Sequence, residues 1–519
     1  MSAATTRVGV PHAGILALLA VAEFMLTLDL SIVNVALPAI RDDLGFSQGS
    51  LPWVVNAYAL TFGGFLLLGG RAADVFGGRR VFMGALVGFS AASLGCGLAG
   101  GQGALVAARA VQGLCAGVLA PATLSILTAT YADPAARNRA LSVWTAVAIG
   151  GGAVGGLAGG LLTDALGWRW IFFVNVPVGA VLVAAAIARL PSRDAGAAGR
   201  SLDVAGAVTV TAGLTALVWA LIHAEAAGWA SLDVAGSLAA AAVLLALFAL
   251  VETRVRAPLV PFSAFRSRLL SAGNLMSFLS FLPVMATWFL LTLYLQRVRG
   301  FSPTEAGLVF MPMSLAVIGG SQVSFRIIAR ADARLLLAGG GLLAAAGMTW
   351  LGQLSADTSP AWVLVPACVA MAGGGLMFAP VTVAATVGAA AGEGGLASGL
   401  LNTTRQIGGA LGLAVLGTVA AATTGTSEAA GALSAGYAAA FTAGAVIYVV
   451  TAAVGALALP VRLSPPPSSP RAATRARPRP REAITRSERA PEHRARSSGV
   501  ATVLVISVAG SARDRRRRR

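Results

Sequence analysis

The feature that most constrains this chain is its series of apolar runs, each long enough to cross a bilayer. A hydrocarbon core of about 30 Å takes about 20 apolar residues in a helix. By that measure the sequence predicts about fourteen spans, near residues 13–37, 51–70, 80–100, 104–129, 140–163, 170–189, 204–222, 234–252, 269–295, 304–326, 334–353, 361–387, 400–422 and 436–459. Composition agrees: only 11% of the 519 residues are charged and mean hydropathy is +0.78. A chain that poor in charge cannot cover a water-facing surface, where about 25% is usual. The fold class expected is an all-α polytopic membrane protein. The first run lacks a convincing signal-peptide cleavage site and reads as a helix.

Loop charge predicts orientation. Arg71, Arg79, Arg80, Arg137, Arg139, Arg189, Arg193, Arg200, Arg254, Arg256, Arg266, Arg268, Arg326, Arg330 and Arg334 fall in alternate loops, while the opposite loops carry far fewer. Basic loops stay cytoplasmic, so the chain is expected in the cell membrane, multi-pass, with both termini cytoplasmic. The longest basic connections bracket the seventh and eighth spans. This predicts an N-terminal six-helix bundle (1–190), a linker with two additional helices (191–268) and a C-terminal six-helix bundle (269–460). Such a layout suits a duplicated transporter with an inserted helix pair.

Residues 149–162 read IGGGAVGGLAGGLL. Gly150, Gly152 and Gly155 spell G-x-G-x-x-G, but a dinucleotide loop needs a preceding strand and a helix opening at the glycines. Here the glycines continue an unbroken apolar run. Gly151, Gly155 and Gly159 recur every fourth residue, as do Gly152, Gly156 and Gly160. These ladders place two adjacent stripes on one helix face, where another backbone can approach closely in lipid.

A charge at mid-membrane costs roughly 2.5–3.5 kcal/mol on the insertion scale. The first span nevertheless holds Glu23 and Asp29, and the fourth holds Arg109 with Gln112 on nearly the same face. Two readings stand: a buried structural pair, or a proton and cation site. In the second, a conformational change that alters a carboxyl's burial or its distance from an Arg makes it bind and release protons. A proton moving down about 100 mV supplies about 2.3 kcal/mol, enough for roughly a 50-fold solute gradient. In the loop after the second span, Asp74 sits among Arg71, Arg79 and Arg80. It is placed either to bond a neighbouring helix N-terminus and release it when the halves rock, or as a solvated surface charge.

Taken in order, these residues resemble the major facilitator superfamily, and within it the 14-helix drug:proton antiporters of the EmrB/QacA type. LDLSIVNVALP (28–38), Gly70–Arg80, RAVQGLCAG (109–117), GGLAGGLL (155–162), LYLQRVRGFSPTEAGLVFMP (293–312) and SGLLNTTRQIGGALG (398–412) are each similar to a family motif. The likeness covers about residues 13–460. Gly156 stands where the antiporter motif has Pro, and Val75 and Gly78 replace basic residues of the loop motif. The resemblance implies two six-helix bundles plus two central helices, and a proton-coupled antiporter exporting lipophilic or cationic small molecules; a proton symporter or facilitator is the alternative. It implies that Asp29, Glu23, Arg109, Gln112 and Arg405 serve proton coupling or substrate. It further implies that Gly70, Asp74, Gly77, Arg79 and Arg80 gate the conformational switch, and that the glycine helix seals the halves.

All 38 basic residues are Arg, and 16 of them lie beyond residue 461 against four acids, a net +12 of the chain's +17. The segment 461–519 is too polar to build a core and is expected to be a disordered cytoplasmic tail. It is placed to meet anionic lipid, or is an unselected extension; nucleic acid is not an expected partner. With three scattered Cys, three scattered His and no Lys for a phosphate loop, neither an enzyme nor an ATP-driven pump is expected. No metal or cofactor is expected either: the partners would be the small molecule, protons and lipid, with the chain a monomer.

Overall fold

The computed structural model describes residues 11–131, 133–190, 202–255, 258–328, 330–387, 394–425 and 427–459. The Arg-rich segment 461–519 and most of the first inserted connection, 191–201, lie outside them. Fourteen helical segments among the described residues are long and apolar enough to cross a membrane. Those of the first half are α1 (Pro11–Leu44), α2 (Trp53–Phe76), α3 (Gly78–Gly97), α4 (Gln102–Thr130), α5 (Pro134–Leu166) and a sixth span broken into α6 (Trp170–Phe173) and α7 (Asn175–Arg189). The inserted pair is α8 (Val204–Ala227) and α9 (Leu232–Arg254). The last six are α10 (Arg268–Leu293), α11 (Pro303–Ile327), α12 (Ala333–Leu351), α13 (Pro360–Val387), α14 (Gly394–Thr424) and α15 (Ala430–Ala458).

Helix ends follow local chemistry that hydropathy does not see. Asp133 caps α5 by accepting a hydrogen bond from the Ala136 amide, with Pro134 at the first helical position. Ser302 and Glu305 form a reciprocal capping box at α11. Gly77 (φ 88°) and Gly167 (φ 90°) turn the chain out of α2 and α5 in the left-handed region, where a Cβ is strained. Capping explains why α5 starts six residues before its apolar run. Likewise α1 continues through Pro38 to Leu44, carrying Arg41, Asp42 and Asp43 past the predicted end at 37.

Within the first six spans, α1 packs on α5, α2 on α4, and α3 on α4 and α7; within the last six, α10 packs on α14, α11 on α13 and α12 on α13 and α15. Two contacts dominate between these groups, α5 with α11 and α2 with α14. Each joins the fifth span of one group to the second span of the other, as a pseudo-two-fold axis requires. The inserted helix α8 lies against both α2 and α14, and α9 packs on α8 with most of its surface exposed.

The glycine ladders serve this arrangement, with one correction to the sequence reading. They do not form one surface for one neighbour. A Cβ on Gly155 would lie 2.6 Å from Ser31 Cβ, and one on Gly159 would lie 2.7 Å from the Ile32 carbonyl oxygen; Gly151 crowds Phe24 and Thr27 in the same way. That stripe packs on α1. A Cβ on Gly160 would lie 2.5 Å from the Pro303 carbonyl oxygen, and one on Gly156 would lie 3.2 Å from Phe310 Cβ. That stripe crosses to α11, whose Gly307 meets the Gly156 backbone in return. Gly152 has open space at this position, and its carbonyl accepts a hydrogen bond from Ser31 at 2.9 Å. On α14 the pattern recurs: Gly408 and Gly412 press on the Phe278 and Leu282 backbone of α10.

Candidate functional site

One end of the helix array is laced shut across the two groups of spans. Arg41 meets Glu428 at 2.6 Å, Arg297 reaches the other oxygen of Glu428 at 3.5 Å, and Gln296 donates to the Val35 carbonyl at 2.7 Å. Asp164 at the end of α5 accepts from the Thr304 amide at 2.9 Å. Glu428 is 67% exposed, and such pairs contribute about 0–1 kcal/mol. Glu428→Ala is therefore expected to shift the closed-to-open ratio by no more than about fivefold. Labelling of a cysteine placed at Ser125 with a membrane-impermeant maleimide would read that shift.

At the opposite end a cavity of about 670 Å³ opens between the two groups, with Gly70, Arg71 and Asp74 at its rim. Glu23, Thr27, Tyr58, Trp144, Asn402 and Gln406 line it deeper in. Glu23 is only 8% exposed, and its Oε2 has no hydrogen-bond partner. A buried carboxyl oxygen left unpaired is costly, and this one lies just behind the cavity surface that Glu23 lines.

Asp29 lies six residues further along α1, about 9 Å by helix rise, in a closed cluster behind the cavity wall. Its carboxylate accepts from Arg109 Nη1 at 2.9 Å, Gln112 Nε2 at 2.8 Å and Asn175 Nδ2 at 2.7 Å. Arg109 donates from the same nitrogen to Gln112 Oε1 at 2.7 Å and from Nε to the Val54 carbonyl at 3.1 Å. Ser93 accepts from Gln112 and Asn175 and donates to the Phe172 carbonyl. The Arg109 guanidinium lies 4.3 Å from the Tyr58 ring centroid. Asp29, Ser93 and Gln112 have no exposure, and Arg109 and Asn175 have 1%. Every charge in the cluster is matched and hydrogen-bonded, which is what makes an ion pair tolerable in an apolar interior. Tyr58 separates it from the cavity: the ring lies against Arg109 and also lines the cavity wall.

The sequence-predicted residues thus part company. Asp29, Arg109 and Gln112 come together; Glu23 stands apart from them at the cavity, beside Thr123. Arg405 lies elsewhere, in a smaller cavity within the last six spans. Arg79 donates to the Ile187 carbonyl at the end of α7 at 3.0 Å, and Arg80 is exposed. Arg71 bonds the Pro258 carbonyl, tying the rim to the connection after α9. Asn175 and Ser93 were missed by the sequence reading. Asn175 was signalled only as a lone amide within the sixth apolar run, and Ser93 by nothing, because small hydroxyl residues are common in spans. Among the aromatic side chains, Tyr58 and Trp144 line the large cavity, whereas Trp53 packs at a tilt against Trp219 and Trp288 at a tilt against Phe310.

A cavity between two pseudo-symmetric six-span groups, closed at one end, defines a multi-pass membrane transporter. A sequence-family model described as the Major Facilitator Superfamily matches residues 19–413. The chain belongs to that superfamily, and its fourteen spans agree with the 14-helix type. It is 42% identical to the cephamycin export protein CmcT of Amycolatopsis lactamdurans over 458 residues, 87% of this chain and 93% of that one. It is also 42% identical to the puromycin resistance protein pur8 of Streptomyces alboniger over 417 residues, 79% and 82% of the two chains. Among solved structures, a bacterial homolog of the human lysosomal transporter Spinster, inward-facing and unoccupied, superposes with a TM-score of 0.61 at 18% identity, covering 86% of this chain and 97% of that one. That likeness concerns the fold alone.

Proposed function

We propose that this protein is a proton-coupled antiporter that exports lipophilic or cationic small molecules, drugs or antibiotics, across the cytoplasmic membrane. The observation that carries the reading is the Glu23 carboxyl, without an ion-pair partner among the described residues, lining a cavity of about 670 Å³, in a chain whose near-full-length relatives are an antibiotic export protein and an antibiotic resistance protein. A carboxyl in that position exchanges a proton for a cationic or polar group of the cargo without covalent chemistry. Neutralising Asp29 releases Arg109, and with it the Tyr58 ring at the cavity wall, which gives a physical route between proton and cargo. The proton gradient is the energy source, and no cofactor enters the cycle.

Orientation follows from the basic loops. Arg71, Arg79, Arg80, Arg189, Arg254 and Arg268 lie at the helix ends of the open side, so that end and both termini face the cytoplasm. The conformation is then the one that loads cargo from inside the cell. Asp74, Gly77, Arg79 and Arg80 are placed to change partners as this end closes.

The test uses inverted membrane vesicles with an imposed pH gradient reported by a fluorescent probe. Ethidium or puromycin is expected to release protons from wild-type vesicles, while Glu23→Gln reduces that release at least about tenfold, one lost charge-assisted contact. If solutes cross but none disturbs the gradient, the antiporter reading fails and a facilitator replaces it.

A further inference from the structure

Arg405 in α14 is a charge without a counter-charge. It lines a cavity of about 70 Å³ enclosed by α10, α11, α13, α14 and α15. The spans α10 to α15 contain no Asp or Glu except Glu305 in the first turn of α11, and among the described residues no carboxylate reaches Arg405. Its guanidinium is held in place by uncharged groups. Nη2 donates to Thr382 Oγ1 at 3.0 Å, and the plane sits 4.1 Å from the Phe378 centroid and 5.4 Å from that of Phe281. Its Nε has no partner.

Tyr448 adds a second unsatisfied group beside the same cavity. Tyr448 in α15 has no exposure, lines the same cavity, and its hydroxyl is also unpartnered. Unpaired buried donors are rare because each forfeits its hydration. Two of them beside one cavity, one cationic, are the complement of an anion once the side chains turn toward it. The wall is otherwise apolar, with Phe281 and Phe378 flanking the Arg. The volume exceeds the roughly 30 Å³ share of one water, enough for the head of a carboxylate. Contrast Arg109, whose charge Asp29 already satisfies at 2.9 Å.

We infer that the cavity formed by Arg405, Tyr448 and the Phe281–Phe378 pair is a subsite for a carboxylate of the transported molecule. The guanidinium and the Tyr448 hydroxyl donate to its oxygens, while the rings take the apolar body next to it. The choice of cargo as the source of the carboxylate rests on the export reading; the anion site itself does not.

The experiment uses the purified full chain in lipid nanodiscs with two probes, dansylglycine and its methyl ester, which differ by one negative charge. The wild type is expected to bind the acid about tenfold more tightly than the ester, as a charge-assisted hydrogen bond would give. Arg405→Gln brings the two within about twofold, and Arg405→Lys keeps part of the preference because it keeps the charge. Tyr448→Phe lowers the ratio about threefold and serves if Arg405→Gln fails to elute as a monodisperse protein. Equal binding of acid and ester by the wild type, or an undiminished preference in Arg405→Gln, overturns the inference. A free inorganic anion is separated by exchanging chloride for gluconate. If chloride raises the unfolding temperature of the wild type alone while acid and ester bind equally, the site holds chloride and the carboxylate assignment fails. Ethidium export from wild-type vesicles is measured in parallel. Its absence refutes the export reading and leaves the acid-to-ester ratio to decide the subsite.

Discussion

Arg109→Ala is expected to lower stability by about 3–5 kcal/mol, the cost of stranding one member of a buried ion pair, and to abolish proton-coupled transport. The Asp29 carboxylate would keep the Gln112 and Asn175 amides, at 2.8 and 2.7 Å, but would lose its ion-pair partner. The Val54 carbonyl and the Tyr58 ring would lose their contacts with Arg109 as well. Thermal unfolding in detergent and proton release in vesicles read the two effects separately. The double variant Asp29→Asn/Arg109→Gln removes both charges while keeping polar groups of similar shape. It is expected to recover most of the stability, because nothing charged is left unpaired, and none of the coupling. Recovery of both would reduce the pair to a structural clamp and leave Glu23 as the proton-linked carboxyl.

Gly160→Val is the second large effect. Its Cβ would lie 2.5 Å from the Pro303 carbonyl oxygen and 2.7 Å from Thr304 Cα, backbone atoms that no rotamer change can move aside. The α5–α11 contact must spread, and with it the Asp164 bond to the Thr304 amide that helps close this end. Overpacking of this kind costs about 1–3 kcal/mol. The expected outcome is a chain that still folds yet lets the pH gradient in proteoliposomes decay without cargo. Gly152→Ala is the control: its Cβ meets nothing within 4 Å, so stability changes by no more than about 0.5 kcal/mol and the gradient holds. Equal damage from both substitutions would show that the glycines matter for flexibility and not for close approach.

The fourteen spans were legible because bilayer crossing is a local property: each run of about 20 apolar residues reports on itself. Their ends were less so. The start of α5 is set by capping at Asp133, and α1 runs on through charged residues that hydropathy excludes. The glycine ladders were readable as close-packing surfaces, since spacing by four places glycines on one stripe. That one stripe serves α1 and the next serves α11 was not, because a stripe does not say what lies opposite.

The same division holds at the candidate site. A charge at membrane depth is conspicuous in any sequence because lipid penalises it wherever it falls, so Asp29, Glu23, Arg109 and Arg405 stood out from their surroundings alone. The sequence by itself determined that this chain is a multi-span membrane protein and which charges require an explanation. Only the tertiary structure decided that Asp29 is answered by Arg109, Gln112 and Asn175, that Glu23 lines a cavity, and that Arg405 meets no carboxylate among the described residues. The physical reason is that burial cost depends on a residue and its neighbours along the chain, whereas its compensation comes from helices 80 to 146 residues away, brought together only by packing.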